Sequence, residues 1–261
     1  MLHSPDMSTD PTSPAGRISA SKNIRFYLTA AQPCPYLDGR RERKVFAALD
    51  GHDAVELNDS LTHAGFRRSQ NIAYRPACDM CAACVSVRVP AAQFVFSKRW
   101  RRVLARNQDV VSKLVPAHAT YEQYALLQTY LKDRHFGAGM SDMSVFDYSS
   151  MVEETSVRTH IIEYRLDNEE GRLIGCALVD ALADGLSMVY AFFDPRESSR
   201  SLGSYMILDH LRQAQEVTYP YVYLGYWVRG SRKMAYKTNF RPIEALGSSG
   251  WTDLSPLLNK D

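Results

Sequence analysis

The sequence contains no run of about 18 apolar residues, so it offers no membrane span. Its net charge is only +2, from 31 Lys and Arg against 29 Asp and Glu. Overall charge therefore does not announce a nucleic-acid binder, and any such role must come from local clustering. Cysteines are few, five in 261 residues, and the back half holds only Cys176. Residues 1–22 contain no apolar stretch of signal-peptide type, which favours a reducing cytoplasm over disulfides. Rich in Ser, Pro and Thr, they are read as a disordered leader. What is present is ordinary for a globular protein, 45% apolar and 23% charged. The length exceeds the usual single domain, so two are expected.

The remaining four cysteines fall as Cys34 and then Cys78-Asp-Met-Cys81-Ala-Ala-Cys84. Two overlapping C-x-x-C spacings bring three thiolates within reach of one metal. Cys34 would supply a fourth ligand for tetrahedral zinc or an iron–sulfur cluster. The alternative is that some are small buried hydrophobes.

Around this cluster the front third reads as mixed structure. Ile24 to Thr29 and Val85 to Val89 have strand character, the latter alternating cleanly. Arg40 to Leu49 and Leu57 to His63 read as helices, the second stopped by Gly65. Phe66 to Ser69 and Ile72 to Pro76 are extended. Arg67, Arg68 and Arg75 flank the cysteines, and a guanidinium makes paired hydrogen bonds to a carboxylate, so they suit an acidic ligand. They also read as solvated surface arginines. In Lys98-Arg99-Trp100-Arg101-Arg102-Val103-Leu104-Ala105-Arg106, five positive charges lie within nine positions. Such a stripe suits a phosphate backbone, or equally a solvated linker helix. A domain boundary is expected between about 105 and 118.

The back half predicts a helix from Thr120 to His135 and a loop at Gly137-Ala138-Gly139. Strands follow over Arg158–Tyr164, Arg172–Ala183 and Leu186–Phe193, with turns at Asn168–Gly171 and Asp184-Gly185. A helix over Leu202–Glu216, a strand over Tyr221–Val228, a short helix near Ser231–Asn239 and a last strand near Pro242–Leu246 complete the order. That order is the one of an acetyltransferase-like (GNAT) α/β domain. The expected fold class is α/β: a GNAT-like C-terminal domain, 109–261, behind a smaller cysteine-bearing α+β domain, 23–108. Ligands of such a domain bind where two neighbouring strands splay apart. Here that points to the end of the Leu186–Phe193 strand and to Arg200–Ser204.

The run from Tyr223-Leu224-Gly225-Tyr226-Trp227-Val228 through Lys237-Thr238-Asn239-Phe240-Arg241-Pro242 resembles the arginyl/leucyl-tRNA–protein transferase family. So do Cys34-Pro35-Tyr36-Leu37, Gly65-Phe66-Arg67-Arg68-Ser69 and Tyr74-Arg75-Pro76-Ala77-Cys78. The likeness extends from about residue 24 to 251. Length and the C-x-x-C-x-x-C form resemble its bacterial branch, the aspartate/glutamate leucyltransferases. The resemblance implies transfer of an aminoacyl group, leucyl in that branch, from tRNA to the α-amine of proteins beginning with Asp or Glu, which marks them for degradation by the N-end rule pathway. One departure stands out: eukaryotic relatives carry C-x-x-C where this chain has Cys34-Pro35-Tyr36-Leu37. The shift either preserves a four-thiolate site or removes it.

A tRNA ester is already an activated acyl donor, so the chemistry needs no cofactor, and positioning is worth up to roughly 7–11 kcal/mol. Asp194 and Tyr190, four apart on one strand, share a face and are the expected catalytic pair; Asp194 also suits a turn before Pro195. For acceptor binding the residues are Arg67, Arg68, Tyr74 and Arg75. For tRNA they are Lys98, Arg99, Arg101 and Arg102, with Tyr226 and Lys237 at its 3′-end. The competing expectations are acetyl-CoA as donor, or an arginyl rather than a leucyl group. Oligomeric state is not legible in the chain.

Overall fold

The computed structural model describes residues 24–134, 143–168 and 170–258. The expected leader, the loop at Gly137-Ala138-Gly139 and the predicted helix end at His135 lie outside them.

The front of the chain forms β1 (Tyr27–Leu28), β2 (Gln32–Pro33), β3 (Arg41–Glu42), β4 (Lys44–Ala48), α1 (Ala54–His63), β5 (Arg67–Ser69) and β6 (Ile72–Pro76). Then come β7 (Cys84–Pro90), α2 (Lys98–Arg106), β8 (Val110–Pro116), α3 (Tyr121–Arg134) and α4 (Val145–Glu153). The remainder is β9 (Thr159–Leu166), β10 (Leu173–Leu182), β11 (Gly185–Phe193), α5 (Leu202–Glu216), β12 (Tyr221–Val228), β13 (Glu244–Gly247), β14 (Gly250–Asp253) and α6 (Ser255–Leu258). A 3-10 segment, Arg232–Asn239, follows β12.

Two sheets organise these elements. A small antiparallel sheet has the order β1-β4-β6-β5, and a large one the order β14-β13-β7-β12-β11-β10-β9-β8. In the large sheet only β11 and β12 run parallel. One parallel pair within an otherwise antiparallel α/β sheet is the topology of the GNAT-like class the element order predicts. Helices α2 and α5 cover one face, where Trp100 stacks on Phe240 at 4.7 Å beside Leu202, Met206 and Leu208. Helices α3 and α4 cover the other through Leu127, Leu131, Tyr148 and Val152. Both faces are thereby dry, the requirement of a layered α/β core. Helix α4, which the periodicity did not signal, starts on a reciprocal Ser144–Asp147 capping box.

Three differences from the sequence expectation have physical causes. The stretch expected as a helix, Arg40–Leu49, forms β3 and β4 instead, because β4 is paired with β1 on one side and β6 on the other. Tertiary pairing overrides local helix propensity there. Val110–Pro116, expected near a boundary, is the edge strand of the large sheet. And β7, from the cysteine-bearing front, lies between β12 and β13, so a division at residue 108 would cut through the sheet.

Candidate active site

Pairing between β11 and β12 spans only Gly185–Ser187 against Tyr221–Tyr223. Beyond that ladder each strand carries a bulge. On β11, Val189 is skipped between the pairs Leu178↔Tyr190 and Val179↔Met188. On β12, Leu224 is skipped between Tyr223↔Arg88 and Gly225↔Val87. Bulges bend and twist a strand, and two facing each other open a wedge.

Buried backbone carbonyls must find donors, and in the wedge two cationic side chains provide them. From β5, the Arg67 guanidinium Nη2 donates to Met188 O at 3.0 Å and Val189 O at 2.7 Å. From the other side, Lys237 Nζ donates to Leu224 O at 2.7 Å and Tyr226 O at 2.6 Å. Lys237 is 4% exposed, and burial, with the nearby Arg67 charge adding to it, drives its amine well below the usual lysine range. Gly225 sits between them at φ +73°, and a β-carbon there would lie 2.2 Å from Arg67 Nη1. An isolated glycine inside the strand-like run Tyr221–Val228 was the one sequence signal of this close approach.

Tyrosines close the surroundings. The Tyr226 hydroxyl is a buried donor with Gly65 O at 2.9 Å and Tyr74 O at 3.0 Å as its acceptors, tying β12 to the front sheet. Burial raises its pKa, and raises that of Tyr36 to about 12, with Tyr74 contributing to both. Arg75 is exposed and lies over the Phe66 ring at 5.1 Å. Tyr190 stands on β11 near Tyr130 and Phe192; its buried hydroxyl has no hydrogen-bond partner among the described residues, and burial pushes its pKa up.

The other expected residues are placed elsewhere. Arg68 is turned away from the wedge and buried in a bidentate pair with Asp180, 2.6 and 2.8 Å. Asp194, fully buried, caps the turn after β11 and accepts from Arg196 (2.7 Å) and Arg172 (2.8 Å). Those contacts, Arg196 first, hold its carboxyl below the usual range, which makes it a poor base. The same network takes Arg200 to Glu197 at 2.8 Å and to Asp109 at 2.7 Å. Lys98, Arg99, Arg101 and Arg102 lie exposed along α2, whose buried Trp100 and Val103 dock it on the core.

Cys34, Cys78, Cys81 and Cys84 line one cavity of about 210 Å³ together with Leu37, Arg40, Arg41 and Glu42. Burial, then the other three thiols, pushes Cys84 up to about 12. Among the described residues no three His, Cys, Asp or Glu side chains form a metal-coordinating group. The thiols are gathered without being set as a ligand shell.

A splayed parallel pair with charged and aromatic groups converging on it defines an α/β acyltransferase-like protein. Family models described as arginine-tRNA-protein transferase, N terminus and C terminus, match residues 32–102 and 122–247. Aspartate/glutamate leucyltransferases from Phenylobacterium zucineum and Nitrobacter hamburgensis are 58% and 59% identical, over 90% and 87% of this chain and 93% and 91% of their own lengths. One from Sinorhizobium medicae is 60% identical, over 87% of this chain and 91% of its own length. The chain belongs to the arginine-tRNA-protein transferase family. A solved structure, the GCN5-related glucosamine N-acetyltransferase region of a fungal β-N-acetylglucosaminidase, overlaps 76% of this chain and 22% of its own at 10% identity and a TM-score of 0.41. The fold assignment rests on strand order instead. Among the described residues no helix is long and apolar enough to cross a membrane.

Proposed function

We propose that the chain transfers leucine from leucyl-tRNA to the α-amine of proteins that begin with Asp or Glu, in the cytoplasm, marking them for degradation. The observation that carries this reading is the Arg67 guanidinium held in the β11–β12 wedge with no carboxylate paired to it among the described residues. An acidic N-terminal side chain would supply that carboxylate. Tyr74, opposite Arg67 on the neighbouring strand β6, and Arg75 beside it extend the acceptor seat.

The chemistry is aminolysis of an ester. The α-amine has a pKa of about 8, so an appreciable neutral fraction is present without a strong base. Its nitrogen attacks the leucyl carbonyl, a C–N bond forms, the ester C–O bond breaks, and the ribose oxygen leaves with a proton the amine gives up. Asp194, saturated by arginines, is assigned an anchoring role rather than that of base. Tyr190 is assigned to the donor side. Its neighbours Tyr130 and Phe192, in a cluster that also holds Leu126, make an apolar wall, which suits leucyl; an arginyl group would need a carboxylate there. The exposed basic face of α2 would hold the tRNA backbone, while Tyr226 and Lys237, both buried, shape the wedge instead of touching tRNA.

No cofactor is required by this step. Zinc or an iron–sulfur cluster at the four cysteines is a separate proposal, supported by their convergence on one cavity; elemental analysis of the purified chain beside a Cys78→Ser, Cys81→Ser double variant checks it.

The reaction is tested by mixing the purified chain with radiolabelled leucyl-tRNA and reporters that start with Asp, Glu, Asn or Arg. Label on the Asp and Glu reporters alone is the expected result. Label only when arginyl-tRNA is supplied would overturn the choice of donor.

A further inference from the structure

Arg67 donates through Nη2 to two carbonyls of β11, and its Nε–H and Nη1 N–H groups have no acceptor among the described residues. What keeps those groups in the wedge lies on the opposite strand. On the backbone as it stands, even one carbon added at position 225 would overlap the guanidinium at 2.2–2.5 Å. Glycine, with no side chain at this positive-φ position, removes that obstacle; the bulge skips Leu224 in the ladder, and the Leu224 and Tyr226 carbonyls turn to another donor. Lys237 supplies the missing donors: its amine spans both carbonyls, one on each side of Gly225, from the 3-10 segment that follows β12.

We propose that Gly225 and Lys237 are positioning residues for acidic-terminus recognition, holding the β12 bulge open so that Arg67 meets the Asp or Glu carboxylate of the acceptor. The inference rests on the acceptor role of Arg67 stated above. Neither residue touches the acceptor: Gly225 acts by having no side chain and Lys237 by satisfying the carbonyls that the bulge frees. Together they explain why a lysine is buried beside an arginine without a counter-ion. Its hydrogen-bonding head group is what the fold requires, and no partner charge is needed for that.

The test measures kcat and KM with leucyl-tRNA and Asp- and Asn-starting reporter peptides for the full chain carrying Gly225→Ala, Lys237→Met, Lys237→Gln or Arg67→Ala, and for Gly225→Ala combined with Arg67→Ala. A lost charge-assisted contact is worth roughly tenfold to a hundredfold. Gly225→Ala and Lys237→Met should therefore each raise KM for the Asp reporter at least about tenfold, with a smaller effect on kcat and on the Asn reporter. Lys237→Gln, which keeps two donors, should recover most of that loss. In the Arg67→Ala background, Gly225→Ala should add less than about twofold, because the overlap is gone.

Equal, additive losses in both backgrounds, or a fall in kcat alone, would overturn the inference. If Arg67→Ala itself leaves the Asp KM unchanged, the acceptor role of Arg67 is what fails. If Arg67→Ala raises it while Lys237→Met and Gly225→Ala do not, only the positioning role fails. Should Gly225→Ala not fold, the Lys237 pair beside Arg67→Ala decides by the same KM comparison.

Discussion

The mouth of α5 and the wedge between β11 and β12 are both rich in basic side chains, and they treat charge in opposite ways. At the mouth, Arg172, Arg196 and Arg200 meet Asp194, Glu197 and Asp109 within hydrogen-bond distance. In the wedge, Arg67 and Lys237 meet only backbone carbonyls among the described residues. A paired cluster is finished and holds the fold; a guanidinium facing dipoles alone still has affinity for an anion. Neighbouring arginines of the same strand divide along this line. Arg68 is neutralised by Asp180 in the interior, whereas Arg67 has no such partner among the described residues.

That contrast can be broken by substitution. Arg68→Ala should be the most damaging change to stability, because it leaves Asp180 buried and unpaired; a loss of about 3–5 kcal/mol in urea unfolding is expected. A result within 1 kcal/mol of wild type would show that Asp180 finds other partners, Thr159 first among them. Arg67→Ala should do the reverse: kcat/KM for Asp and Glu reporters falls about 10–100-fold, with melting temperature nearly unchanged. If instead it unfolds the chain while the folded fraction keeps full activity, the wedge is structural too.

Asp194→Asn sharpens the same contrast at the mouth of α5. Its folded pKa lies below the unfolded value, so its contribution is fully present above about pH 4 and is lost as pH falls through the folded value. The variant should lose about 1–3 kcal/mol at neutral pH and flatten the acid limb of the stability curve. The pH–rate profile should keep its shape; a missing acid limb would return Asp194 to the chemistry as its base. The smallest effect is expected on α2. Arg101→Ala with Arg102→Ala should leave stability alone and reduce the salt dependence of tRNA binding by a slope of roughly 0.7–0.9 per phosphate contact removed. An unaltered slope would make the face merely solvated.

Legibility followed range. Helix α5 and strand β12 were read with their observed ends, because an apolar stripe and a tyrosine-rich strand run are local patterns. The meander of β9, β10 and β11 was equally legible from its turn residues. Strand β7 was visible as a strand but not as a neighbour of β12, since nothing in Cys84–Pro90 encodes a partner so far along the chain. Arg67 and Arg68 illustrate the same limit at the site. As adjacent arginines they are indistinguishable in sequence, and only pleat alternation sends one to Asp180 and the other to the wedge. Lys237, expected at the tRNA 3′-end or in a structural role, proves buried, because its amine is taken by the Leu224 and Tyr226 carbonyls on either side of Gly225.

The insertion of β7 between β12 and β13 has a consequence for the order of biosynthesis. During translation Cys84–Pro90 is made early, yet both strands that flank it, Tyr221–Val228 and Glu244–Gly247, leave the ribosome near the end. Until then the nascent chain carries a largely apolar strand with two unpaired edges, the kind of segment that recruits chaperones or pairs with a second chain. Completion of this sheet is therefore a late, long-range closure, and a chain terminated before Tyr221 would leave both edges of that strand unpaired.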